Sequence, residues 1–254
     1  MKLSRRNFFT QSTAGIIGVC SIPGIVSSCI NDEKRRNSKY SLFTKDSTVL
    51  FQGDSITDAG REKKRELPNN SRSFGHGYAF LAASNLLNVL SNRNLVIYNR
   101  GISGNKVYQL AERWKKDCLD LKPDILSILI GVNDYWHMRN GKYNGTIEIY
   151  EKDYRALLQR TKDKLPGLKM VICEPYAVIN TSVVDKTWIQ PIKEYQSIAK
   201  LMAEEFDAIR VPFQKVFDEA VKHAPAKYWT PDGVHPSMAG AQLMAEAWLQ
   251  SVAK

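Results

Sequence analysis

The sequence predicts an α/β fold, a three-layer αβα sandwich around a five-stranded parallel sheet. Two observations carry that expectation. Short apolar runs alternate with stretches of helical periodicity from about residue 47 to the end of the chain, which is the signature of strand–helix crossovers. The run Ile125–Ile130 (ILSILI) is apolar on both faces, as a central strand covered by helices on each side must be.

The elements follow in order. Ser47 to Phe51 (STVLF) reads as the first strand, and Gly77 to Leu90 as a helix with Ala79, Ala82, Ala83, Leu86, Leu87 and Leu90 on one face. Leu95 to Tyr98 is the second strand, Val107 to Leu121 the next helix, and Ile125 to Ile130 the third strand. A helix over about Tyr150–Lys164 stacks Tyr150, Tyr154, Leu157 and Leu158, and Lys169 to Cys173 is the fourth strand. The following helix aligns Ile192, Tyr195, Ala199, Met202 and Phe206, before a short fifth strand over Ala208–Val211. Ser237 is placed to cap a last helix that turns Ala241, Met244, Ala245, Trp248 and Val252 inward.

The 254 residues are enough for one sizeable domain, and 43% hydrophobic with 24% charged residues is ordinary for a chain with a real core. A formal charge of +10 invites a nucleic-acid reading. The positive residues are clustered only at Lys2, Arg5 and Arg6 and at Lys34-Arg35-Arg36, and no basic stripe interleaves with aromatics, so no nucleic-acid partner is expected.

Residues 1–28 are expected to be an export signal. Ser4-Arg5-Arg6-Asn7-Phe8-Phe9 resembles a twin-arginine signal, and the apolar stretch Ala14–Val26 is too short to span a bilayer. Val26-Ser27-Ser28-Cys29 resembles a lipobox, which makes Cys29 the candidate for lipid attachment; plain signal cleavage with an incidental Cys29 is the alternative. The chain would then be an exported lipoprotein, periplasmic or at the cell surface, held to a membrane by its lipid. Polar, aperiodic residues 29–46 read as a flexible tether, and 47–254 as the folded domain. Cys118 and Cys173 fall in apolar surroundings, and no metal-ligand spacing is present, so no metal site is expected.

In a parallel sheet, ligands bind beyond the carboxyl ends of the strands, so the residues just after each strand matter most. After the first comes Gly53-Asp54-Ser55, a tight turn in which Gly53 supplies backbone freedom and Ser55 is exposed. Alone, such a serine is more often a helix cap than a nucleophile. After the second strand comes Asn99-Arg100-Gly101-Ile102-Ser103-Gly104-Asn105, after the third Gly131-Val132-Asn133-Asp134, and near the end Pro231-Asp232-Gly233-Val234-His235-Pro236. Each block has a plain reading as turn chemistry. Together, in this order, they resemble the SGNH (GDSL-like) hydrolase family over about Val49–Trp248. FxGDSITDxGR at 51–61, GISGNxV at 101–107 and PDxxSxxIGxNDxW at 123–136 are similar to its bacterial acetylxylan-esterase branch.

The resemblance implies a flavodoxin-like SGNH hydrolase fold and a Ser-His-Asp esterase in which Ser55 attacks, His235 takes its proton and Asp232 orients the imidazole. The backbone N–H groups of Ser55 and Gly104 and the side-chain amide of Asn133 would form the oxyanion hole. It further implies an acetylated carbohydrate substrate, no cofactor, and in some members a homo-oligomer. Tyr78 and Trp136 are candidates for lining an acyl pocket or stacking on a sugar, with core or rim packing as the equal alternative. His137 follows the Asn133 block and has a place near the site as one reading, but as a lone exposed histidine it reads first as incidental, and the polar segment 62–76 reads as a loop near the site mouth. A lysophospholipase- or thioesterase-like acyl hydrolase and a non-catalytic glycan-binding lipoprotein are the competing functions.

Overall fold

The computed structural model describes residues 38–253, so the segment expected to be an export signal and the lipidation candidate Cys29 lie outside the described residues. Five strands, β1 (Thr48–Gly53), β2 (Val96–Asn99), β3 (Ile125–Leu129), β4 (Lys169–Cys173) and β5 (Ile209–Val211), pair in the order β2-β1-β3-β4-β5, all parallel. This is the doubly wound arrangement anticipated. The chain leaves β1 to one side for β2 and returns to the other side for β3, so the sheet's topological switch lies between β1 and β3.

Helices cover both faces. Those used below are α1 (Ser55–Asp58), α2 (Ser71–Phe74), α3 (Tyr78–Val89), α4 (Val107–Asp117), α5 (Val132–Arg139), α6 (Ile147–Lys164), α7 (Ile189–Glu205), α8 (Phe213–Ala220), α9 (Ala226–Trp229) and α10 (Met238–Ser251). On one face Trp248 of α10 packs on Phe51, while Tyr78 of α3 packs on Phe51 and Phe213. On the other, the Trp114 indole of α4 donates to Thr161 of α6 at 2.8 Å, and Tyr150 meets Tyr195 of α7. Every residue of β3 is buried, and its one polar side chain, Ser127, is satisfied by the Trp248 indole at 2.9 Å. That bond fixes the last helix to the central strand.

The inward faces read from the sequence are buried as expected on α6, α7 and α10, and Ser237 caps α10 by accepting from the Gly240 N–H at 3.2 Å. Two expectations change. The tether anticipated over 29–46 gives way to the domain before residue 47: Tyr40 and Phe43 are buried, with Phe43 against Trp248, and the Arg93 guanidinium donates to the carbonyls of both. Polar neighbours hid these two aromatics from a pattern-based reading. The segment 62–76 also has a structural task. Asn69 donates its backbone N–H to Ile97 O and accepts from Ile97 N, closing the free edge of β2.

Candidate active site

The site is built at the carboxyl ends of β1, β2 and β3, with one loop brought in from the end of the chain. Ser55 is the first residue of α1, directly after β1. Asp54 caps that helix through Oδ1, which accepts from Ile56 N at 3.0 Å. Its other oxygen has no hydrogen-bond partner among the described residues, and burial pushes the Asp54 carboxyl up to about 7. Asp54 therefore shapes the turn that presents the serine.

The Ser55 hydroxyl lies 2.8 Å from His235 Nε2, across 180 residues of sequence. His235 Nδ1 lies 2.6 Å from Asp232 Oδ2, while Asp232 Oδ1 accepts from the N–H groups of Val234 at 2.9 Å and His235 at 2.7 Å. Burial works to raise the Asp232 pKa, but these three bonds and the imidazole beside it outweigh burial and lower it. The bond to Asp232 in turn raises His235, against the opposing effect of burial. An ionised carboxylate only accepts, so the proton rests on Nδ1 and Nε2 is free to take the serine's hydrogen. The loop is itself fixed: Tyr176 donates to Val234 O at 2.6 Å, and Val178 N to Gly233 O at 2.9 Å.

The chain has counterparts among known proteins. Residues 51–243 match the model of the GDSL-like Lipase/Acylhydrolase family. The chain belongs to that family. An acetylxylan esterase of Geobacillus stearothermophilus is 32% identical over 213 residues, covering 80% of this chain and 93% of that protein. The crystal structure of an acetylxylan esterase from the same organism superposes with a TM-score of 0.75 at 30% identity, covering 83% of this chain and 95% of that one. Variants of that enzyme with a serine or a histidine replaced by alanine are described as catalytic mutants. A GDSL-like lipase structure from Parabacteroides merdae is 51% identical with a TM-score of 0.81, covering 83% of this chain and 97% of that one.

In this acylhydrolase the segments that carry the three expected oxyanion donors are stitched together. The Ser55 N–H sits at the first position of α1, where a helix offers it no acceptor. Asp58, one turn later, accepts from Ser103 N at 2.9 Å and Ser103 Oγ at 2.6 Å, tying the loop that bears Gly104 to α1. Gly104 has φ of 82°, so the glycine there meets a real backbone demand. Asn133, buried at the start of α5, directs its amide to Asn105 O at 3.4 Å, and Asp134 accepts from Val107 N at 3.1 Å. Arg113 reaches the same loop from α4, donating to Asn105 Oδ1 and Arg100 O, each at 2.8 Å. Gly101 is pressed so closely on α1 that a Cβ there would stand 2.5 Å from Asp58 N.

The two aromatic candidates part company. The Trp136 ring lies 6.3 Å from that of His235 and edge-on to Trp188, so it stands beside the triad. Tyr78 does not: it is fully buried between Phe51 and Phe213 with its hydroxyl on Thr57, a core residue of α3. The sequence left pocket lining and core packing as equal alternatives for Tyr78, because a helix-opening tyrosine looks the same facing inward or outward. Cys118 and Cys173 are buried free thiols, and burial pushes the Cys173 thiol up to about 12, which keeps it inert. Among the described residues no group of His, Cys, Asp and Glu could hold a metal ion.

Sequence reasoning set His137 aside as incidental and passed over Lys106; the two lie 3.1 Å apart beside Gly104. A signal was available: His137 is four residues after Asn133 and so shares its face of a helix.

Proposed function

We propose that this acylhydrolase is a serine esterase that removes acetyl groups from xylan-type or related plant polysaccharides or their oligomers. The observation that carries the reading is the unbroken hydrogen-bonded chain Ser55–His235–Asp232 at the sheet's switch point. Ser55 Oγ attacks the ester carbonyl as His235 Nε2 takes its proton, and Asp232 stabilises the imidazolium that forms. The carbonyl oxygen, negative in the tetrahedral intermediate, is received by the N–H groups of Ser55 and Gly104 and the amide of Asn133. Each such donor contributes about 3–4 kcal/mol to the transition state. His235 then returns the proton to the departing alcohol. Water, deprotonated by the same imidazole, cleaves the acetyl-serine and releases acetate.

The acetyl and sugar preferences are supported by the similarity to acetylxylan esterases and by Trp136, half-buried beside His235, where an aromatic face suits a sugar ring. The similarity to a GDSL-like lipase favours a second reading, hydrolysis of longer acyl esters. The experiment follows acetate release from acetylated xylo-oligosaccharides alongside 4-nitrophenyl esters of two to ten carbons, with Ser55→Ala as control. The expected result is acetate release, a fall in kcat/KM beyond about four carbons, and at least a 10³-fold loss in Ser55→Ala. A maximum at long chains would establish the lipase reading instead, and an unimpaired Ser55→Ala would end both.

The same proposal includes export and anchoring through Cys29. It is supported by the order of basic residues, apolar stretch, small residues and cysteine in the first 29 positions. Cys29→Ala should move the protein from the membrane fraction to the soluble one; unchanged fractionation would refute the anchor.

A further inference from the structure

The face of α5 that carries Asn133 and Trp136 also carries His137, at the i, i+3 and i+4 positions of one stripe. The ring leans over the oxyanion loop: its Cε1 atom stands 3.9 Å from where a Cβ on Gly104 would be. Its Nδ1 is 3.1 Å from Lys106 Nζ, which also lies 3.4 Å from Gly104 O. The rings of Tyr108 and Tyr143 flank that nitrogen at 5.5 Å and 5.4 Å from their centroids, the surroundings of a cation.

A lysine ammonium has donors and no acceptor. Its bond to His137 therefore makes Nδ1 the acceptor and leaves the ring proton on Nε2. Burial, with the charges of Lys106 and Lys142, lowers the His137 pKa and keeps the ring neutral. Nε2 has no protein partner among the described residues, and the side chain is only half-buried. The protein thus fixes the tautomer of a histidine that the Ser55–His235–Asp232 chemistry does not use and leaves its N–H open at the rim of the site.

We propose that His137 is a specificity residue: its Nε2–H donates to an oxygen of the alcohol part of the ester, and so favours hydroxylated, sugar-like leaving groups over aryl or alkyl ones. This rests on the esterase reading above and narrows its substrate. A site built to bond a substrate oxygen loses selectivity sharply when the donor is removed, because binding then leaves that oxygen unpaired.

The test uses the full chain and the ratio of kcat/KM for an acetylated methyl xyloside to kcat/KM for 4-nitrophenyl acetate, whose leaving group lacks hydroxyls. His137→Phe should lower that ratio about tenfold. His137→Gln, which keeps an N–H near the Nε2 position, should restore most of it. Lys106→Met, which releases the tautomer, should lower the ratio about two- to fivefold. An unchanged ratio in His137→Phe, equal losses on both esters, or a ratio that Gln fails to restore would each overturn the proposal. A parent that cleaves the aryl ester but no acetylated sugar would instead sink the carbohydrate reading itself. A competent parent indifferent to residue 137 would sink only this one.

Discussion

Replacing Gly101 by alanine should disable the oxyanion hole without touching any reacting group. A Cβ at this position would lie 2.5 Å from Asp58 N, 2.8 Å from Thr57 C and 2.9 Å from Thr57 Cβ. Two of those atoms are backbone of α1 and cannot swing away. Ordinary contact begins near 3.4 Å, so the loop after β2 must lift from the helix by about 1 Å. The Gly101 carbonyl is held by Arg61 Nε at 2.7 Å and Ser103 by Asp58, so the displacement is passed along the loop to Gly104. A misplacement of about 1 Å can cost about 10²-fold in rate, and complete loss of one donor about 10²–10³-fold. Gly101→Ala should therefore lower kcat on an acetyl ester about 10²-fold with KM little changed, while overpacking costs about 1–3 kcal/mol of stability. Steady-state kinetics and a thermal melt measure both. Gly167→Ala, where no atom lies within 4 Å of the new Cβ, is the matched control and should stay within twofold. A folded Gly101→Ala protein with kcat within threefold of the parent would refute the coupling between loop spacing and catalysis.

Three further outcomes follow from the geometry. The Asp232 bond raises His235, and only the neutral imidazole accepts a proton, so activity should rise with pH through a midpoint above the ordinary histidine value; in Asp232→Asn that midpoint should move down and kcat should fall about 10³–10⁴-fold. Burial raises Asp134 to about 7, so the folded state keeps a proton that the unfolded chain releases near pH 4. Stability is then fully present below pH 4 and lost as pH climbs through 7, on the order of 1 kcal/mol per pH unit, and Asp134→Asn should flatten that slope in urea unfolding. Phe43→Ala should cost about 3–5 kcal/mol by the same measurement, because its ring is wholly buried against Trp248; a change within 0.5 kcal/mol would return residue 43 to the tether.

The strands were legible because β3 and β4 are mostly apolar runs between turn residues, broken only by Ser127 and the opening Lys169, and the triad because its members sit in short blocks with strong local character. Asp232 and His235 are only three residues apart, so their pairing could be read from the sequence itself. Other features depend on which way a side chain faces. Tyr78 and Trp136 both stand near strand ends, and only the packing of Phe213 and Trp188 decides that one is core and the other beside the triad. Asp58, Arg113 and Lys106 were invisible for a different reason. Each works through one or two hydrogen bonds to a backbone or ring atom that is distant in sequence, and composition carries no record of such bonds. Tyr40 and Phe43 were missed because isolated aromatics in a polar stretch have no period.

The bond between residues 55 and 235 also sets when the protein can first work. A growing chain that has reached residue 211 has all five strands and its nucleophile, yet it lacks the base that would awaken the serine. The imidazole arrives on the segment after β5, and α10 behind it docks through an indole that must find Ser127 at the centre of the sheet. Ester cleavage is therefore withheld until the segment after β5 has docked, and turnover of a chromogenic ester counts molecules in which it has.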